Sequence, residues 1–109
     1  MALLEKAGLR IVERNWRRPE GELDLIADDD GTCVFVEVRS RTGAHNGDPL
    51  ETITARKRAQ IIRAARLYLE AAPIAASGYR FDVVGVTFSD DGRAPVVVHL
   101  PNAFDLTGV

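Results

Sequence analysis

At 109 residues, 46% of them hydrophobic, the chain has the length of one domain able to build its own core. A formal net charge of −2 excludes a uniformly basic nucleic-acid or membrane binder, yet most arginines fall between Arg10 and Arg66, so a basic face on an acidic protein stays open. A single cysteine, Cys33, excludes an internal disulfide; with no signal peptide or 18-residue apolar run, a cytoplasmic protein without a membrane partner is expected.

In chain order, "MALLEKAGL" predicts a short helix with Leu3, Leu4 and Ala7 on one face and Gly8 at its C-cap. A helix of that length is marginal alone, and its abrupt beginning is read as the remainder of a longer N-terminal segment. "LRIVERNW" alternates as a strand with Leu9, Ile11 and Glu13 on one side, and "RRPEG" turns the chain through Pro19 and Gly21. Next come "ELDLIA" and "TCVFVEVRSR", joined by "DDDG", a strong hairpin signal. Cys33 lies inside that strand pattern and reads as a buried small apolar residue, not a reactive thiol.

"TGAHNGDPLE" is a glycine-rich loop. From Thr54 to about Ala72 the period becomes helical, with Ala55, Ala59, Ile62, Ala65, Leu69 and Ala72 on one stripe, and Pro73 stops it before the turn "ASG". "YRFDVVGVTF" and "APVVVHL" are two more strands around "SDDGR", and "PNAFDLTGV" is a short helix or irregular tail. Helix, three strands, long helix, two strands: this order predicts one α/β or α+β domain over residues 1–109, a sheet covered by helices.

The stretch from Gly21 to Arg41 poses a question, because its apolar strands carry Glu22, Asp24, Glu37 and Arg39. An unpaired carboxylate inside a sheet costs several kcal/mol, on the order of what would unfold a marginal domain. If Asp30-Gly31 forms a two-residue type I′ turn, Asp29 faces Thr32, Asp24 falls opposite Glu37 and Glu22 opposite Arg39. All four then point to one face. Two carboxylates so placed have Cβ atoms roughly 5 Å apart and repel one another. A divalent cation between them removes the repulsion, and oxygen-only ligands suit Mg²⁺ or Mn²⁺, not zinc. The alternative is a cross-strand ion-pair ladder of Glu22, Arg39 and a second arginine.

Three blocks carry a resemblance: "RNWRRPEGELDLIADDDGTCVFVEVRSR", "GDPLETITARKRAQIIRAARLYL" and "YRFDVVGV". In this order, and over nearly the whole chain, they resemble the YraN-like family of bacterial proteins. That family is grouped with Holliday-junction-resolvase-like members of the PD-(D/E)xK nuclease superfamily. The resemblance implies the restriction-endonuclease-like α/β fold, a central mixed sheet of about five strands flanked by helices. It places Asp24 at the first acidic position and Glu37 at the acid of the E-x-K tripeptide, with the carbonyl of Val38 as a backbone metal ligand. Arg39 stands where lysine usually stands, and Lys57 matches a lysine at the start of the long helix. A preceding family helix is expected to be missing before Met1.

The chemistry implied is phosphodiester hydrolysis with Mg²⁺ or Mn²⁺ held by Asp24 and Glu37, acting on structured or branched DNA. Arg39 can serve such a site as a cation and fork donor but not as a base, since guanidinium stays protonated. The alternative is a catalytically inactive nucleic-acid- or partner-binding domain that keeps the fold. A homodimer is expected by analogy with resolvases that cut symmetric junctions.

The long helix adds Arg56, Lys57 and Gln60 as candidate phosphate contacts, with Arg63 and Arg66 as a solvated face. Arg41 joins the nucleic-acid-binding set, and Trp16 reads as core in preference to a base-stacking platform. His45-Asn46 lacks the further histidines of an HNH site, Asp48 either starts a turn or contacts a metal, and Asp82 reads as a structural carboxylate facing a helix or an arginine.

Overall fold

The computed structural model describes residues 2–42, 53–71 and 78–104. The loop with His45 and Asp48, the turn after Pro73 and the end of the chain from residue 105 lie outside the described residues. Among the described residues, helix α1 spans Ala2–Lys6 and strands β1, β2 and β3 span Arg10–Arg18, Gly21–Asp29 and Thr32–Thr42. Helix α2 follows at Ala55–Ala71, then β4 at Gly78–Phe88 and β5 at Val96–Phe104. The strands lie in chain order in one mixed sheet. Only β3 and β4 run parallel, and α2 makes the crossover between them, as a parallel pair requires. An open five-stranded mixed sheet flanked by helices is the α/β arrangement expected of a restriction-endonuclease-like fold.

Each sheet face has its own core. Trp16, Phe35, Phe81 and Val83 pack with Ile61, Ile62, Ala65 and Tyr68 of α2. On the other face Leu25, Ala27, Val34, Val36 and Val84 pack under Leu4 and Leu9. Strand β3 therefore alternates cleanly, Cys33 and Phe35 towards α2 and Val34 and Val36 away from it. This parity aims Glu37 at the α2 side. Asp30 and Gly31 have φ values of 49° and 97°, so the "DG" pair forms the two-residue turn with both residues left-handed, and Asp29 pairs with Thr32.

Other elements depart from the pattern read in the sequence. In β1 the register shifts between Ile11 and Glu13, so Leu9 and Ile11 reach the core on α1's side while Glu13 is exposed. Helix α2 buries Ile61, Ile62, Ala64, Ala65 and Tyr68, whereas Ala55 is exposed and Ala59 and Leu69 are half-buried. Tyr68 draws the buried arc round by packing edge-on against Trp16 and Phe35, at 5.7 and 5.9 Å between ring centroids. The expected helix or irregular tail from Pro101 is instead a continuation of β5 to Phe104. Asn102 adopts φ 50° and its N–H donates to Asp82 at 2.9 Å, a bulge that carries the strand past Pro101 on the sheet edge.

Asp82 is the buried charged residue of the core. Arg80 Nε donates to it at 3.0 Å, His99 Nε2 lies 2.8 Å away, and Arg80 also reaches Asp29 at 2.6 Å. Its expected structural role, facing an arginine, holds.

Candidate metal and nucleic-acid site

The β2–β3 ladder runs from Asp29–Thr32 to Leu25–Val36 and stops one step short of Asp24 and Glu37. There the side chain of Asp24 takes over, accepting the Val38 N–H on Oδ2 at 2.9 Å. This bond locks the Asp24 carboxylate across the gap between the strands, pinned to the residue beside Glu37. The two carboxyl groups lie close enough to interact: Asp24 acts on Glu37 through its charge and as a hydrogen-bonding neighbour. The Val38 side chain turns the other way, against the α1-side core.

The pair shapes the ionisation of Glu37. Burial, the hydrogen bond from Asp24 and the negative charge of Asp24 push its carboxyl up from 4.5 to about 8, while Lys57 and Arg39 pull it down. At neutral pH Glu37 thus holds a proton beside Asp24, which relieves the repulsion between two half-buried carboxyl groups. Arg39 shares the parity of Glu37 and lies beside Gly85 of β4, which has no side chain to compete for the space.

Lys57 arrives from the start of α2. Thr54 caps that helix, its Oγ1 accepting the Lys57 N–H at 3.1 Å, and Thr54 O accepts from the Arg58 N–H at 2.9 Å. The helix sits very close to the start of β2: a Cβ on Gly21 would meet the Ala64 Cβ at 3.1 Å. Glycine at 21 permits this approach, and the charge of Lys57 acts on Glu37.

The model of the uncharacterised protein family UPF0102 matches residues 1–86. The chain belongs to this family. The UPF0102 protein of Geobacter metallireducens is 44% identical over 103 residues, covering 94% of this chain and 83% of that protein. Its counterpart in Nitratidesulfovibrio vulgaris is 43% identical over 106 residues, 97% of this chain and 78% of that one. The Nocardia farcinica protein is 46% identical over 101 residues, 93% and 79% respectively. UPF0102 is the YraN-like family to which the three sequence blocks point.

Of the residues singled out in this UPF0102 sequence, Asp24, Glu37, Val38, Arg39 and Lys57 gather at one place. Arg41 lies further along β3, its Nε donating to Thr87 Oγ1 at 3.4 Å, and Arg56 and Gln60 are exposed on α2. Glu22 does not pair with Arg39: Arg17 Nε holds it at 3.5 Å from across β1. Both Leu23 and Ile26 pack on the α2 side, three positions apart, so the alternation counted from the turn breaks before it reaches Glu22. Trp16 is buried in the core, as read. Burial pushes the Cys33 thiol up to about 11, which leaves it inert.

Among the described residues no three His, Cys, Asp or Glu side chains gather as a metal-ligand set. Two carboxylates alone would hold a hard divalent cation weakly, with a backbone carbonyl and water completing its shell. The residues present fit that modest demand, since the pair is oxygen-only and shares a proton that a cation would replace. One signal for Lys57 was available from sequence: the first turn of α2 carries Arg56, Lys57 and Arg58 and no acid, against the preference of a helix N-terminus.

Proposed function

We propose that this chain is a divalent-metal-dependent endonuclease that hydrolyses phosphodiester bonds in structured or branched DNA. The observation that carries the reading is the convergence of Asp24 and Glu37 where the β2–β3 ladder ends, with the charges of Lys57 and Arg39 acting on Glu37. Branched DNA as substrate rests on the resemblance to resolvase-like nucleases.

Asp24, Glu37 and the Val38 carbonyl are the groups that would hold Mg²⁺ or Mn²⁺. When bound there, such an ion supplies a water of lowered pKa and neutralises charge on the phosphate. The protein does the rest. Val38 N–H keeps the Asp24 carboxylate oriented, and Glu37 would give up its proton in order to serve as a ligand. Arg39 offers the phosphate a planar fork of donors, while the Lys57 ammonium has protons to give to the leaving oxygen. With arginine at the E-x-K position, Lys57 is the residue of this cluster suited to proton transfer.

Arg39 also favours a second reading, a nucleic-acid-binding domain that keeps the fold without the chemistry. Cleavage of four-way-junction, duplex and single-stranded DNA in Mg²⁺ and Mn²⁺ separates the two. For a nuclease, Arg39→Lys retains or raises the rate, and Arg39→Ala lowers it by ~10²–10³, the usual cost of one lost electrostatic donor. For a binder, both variants change affinity alone. Cutting that survives Glu37→Gln would remove the site from consideration.

A further inference from the structure

The carboxylate pair does not stand at the end of the surface that Lys57 serves. A cleft of about 320 Å³ opens between the β1–β2 turn and α2, lined by Arg18, Gly21, Glu22, Lys57, Gln60 and Arg63 among others. We propose that this cleft is a backbone-phosphate subsite for a polynucleotide, continuous with the Asp24–Glu37 pair through Lys57. Its ligand class rests on the nucleolytic reading above; its location does not.

Three features support the assignment. The first is the donor set. Arg18, Lys57 and Arg63 supply positive charge and Gln60 an amide, the groups that bind phosphate oxygens in nucleic-acid complexes. Of the two acids at the cleft, Glu20 and Glu22, the latter is already held by Arg17 at 3.5 Å. The second feature is preorganisation. The Arg18 guanidinium lies 4.7 Å from the centroid of the Trp16 ring and its NH1 donates to the Arg17 carbonyl at 2.7 Å. A fork fixed on a buried indole loses less freedom when it meets a phosphate.

The third feature is the charge order of α2. Its first turn holds Arg56, Lys57 and Arg58, where the helix dipole disfavours cations. Arg58 is occupied locally, donating to the Ile53 carbonyl at 3.3 Å and lying over the Phe104 ring. An anion in the cleft, beside Lys57, offsets the unfavourable placement. The size agrees as well: at about 320 Å³ the cleft is at the small end of ligand sites, with room for a phosphate and its sugar. The strand being cut would therefore run from the carboxylate pair across Lys57 and place its next phosphates against Gln60, Arg63 and Arg18.

The test is fluorescence anisotropy of labelled duplex and single-stranded DNA, and of RNA of the same sequence, in EDTA at several salt concentrations. Arg18→Ala and Arg63→Ala should each weaken binding about 5- to 10-fold and lower the salt slope by about one. Arg18→Lys, which keeps the charge and loses the fork, should fall between. Arg66→Ala, on the exposed face of the same helix and away from the cleft, should stay within about twofold of the native protein. Arg18 and Arg63 are exposed, and thermal unfolding of each variant should show a native-like transition. Equal losses for Arg66→Ala and Arg63→Ala would overturn the subsite, leaving only diffuse charge. Native-like binding by the Arg18 and Arg63 variants, with cleavage still abolished by Asp24→Asn, would sink the subsite and spare the nuclease reading. Weakened binding by both variants in a protein that cuts nothing would support the subsite and sink the nuclease. No binding of any polynucleotide by the native chain would remove both.

Discussion

Replacing Glu37 by glutamine in the metal-free protein tests the carboxylate pair without any assumption about catalysis. Folded Glu37 titrates near 8 and an unfolded glutamate near 4.5. Between those values the folded protein holds a proton that the unfolded chain has released. Stability should therefore fall as pH rises from 4.5 through 8, with the full penalty present above 8 and none below 4.5. At ~1.4 kcal/mol per pH unit the gap sets an upper bound of about 5 kcal/mol. The site is half-buried and water screens it, so about 2 kcal/mol is the expected size. Glutamine keeps the shape and the donor towards Asp24 and removes the titration. In urea unfolding with EDTA, the variant should gain about 2 kcal/mol on the native protein between pH 5 and pH 9. Since burial is the largest cause of the shift, Asp24→Asn should shrink the native pH slope without abolishing it. Parallel stability curves for native protein and Glu37→Gln across that range would refute the shared proton.

Further outcomes follow from the same geometry. Mn²⁺ binding at pH 7 should release close to one proton, because Glu37 must deprotonate to become a ligand, and calorimetry in buffers of different ionisation enthalpy would measure it. Asp82→Ala should cost about 3–5 kcal/mol by chemical denaturation, since it strips a fully buried acceptor from Arg80, His99 and the Asn102 N–H. Thr54→Ala should cost about 1 kcal/mol and also lower any cleavage rate, because the cap fixes the turn that carries Lys57. Gly21→Val should cost about 1–3 kcal/mol by crowding Ala64, with partial recovery in the Gly21→Val, Ala64→Gly double variant as measured by thermal unfolding.

Much of the fold was legible because its signals are local. The "DG" pair demands two left-handed residues, and that demand fixed the turn and the Asp29–Thr32 pairing. What failed depended on distant partners. Pro101-Asn102 reads as a strand breaker until Asp82, 20 residues earlier, captures the Asn102 N–H. The buried arc of α2 follows Tyr68 to the rings of Trp16 and Phe35, contacts no helical period announces. Glu22 was assigned to Arg39 by counting along a ladder that ends at Leu25, and β1 supplied Arg17 instead. At the site, the nearness of Asp24 and Glu37 could be anticipated by counting from the "DG" turn. The Val38 N–H that orients Asp24 could not, because it takes the place of a ladder bond that regular pairing would have supplied.

The nuclease reading stands on Asp24 and Glu37 together holding a divalent cation. A Mn²⁺ titration of the native chain and of Asp24→Asn at pH 8, followed by calorimetry, addresses it directly. The native protein should bind one ion weakly, as two carboxylates allow, and Asp24→Asn should show no heat above dilution. Equal binding by the two proteins, or none by the native chain at millimolar Mn²⁺, would contradict it.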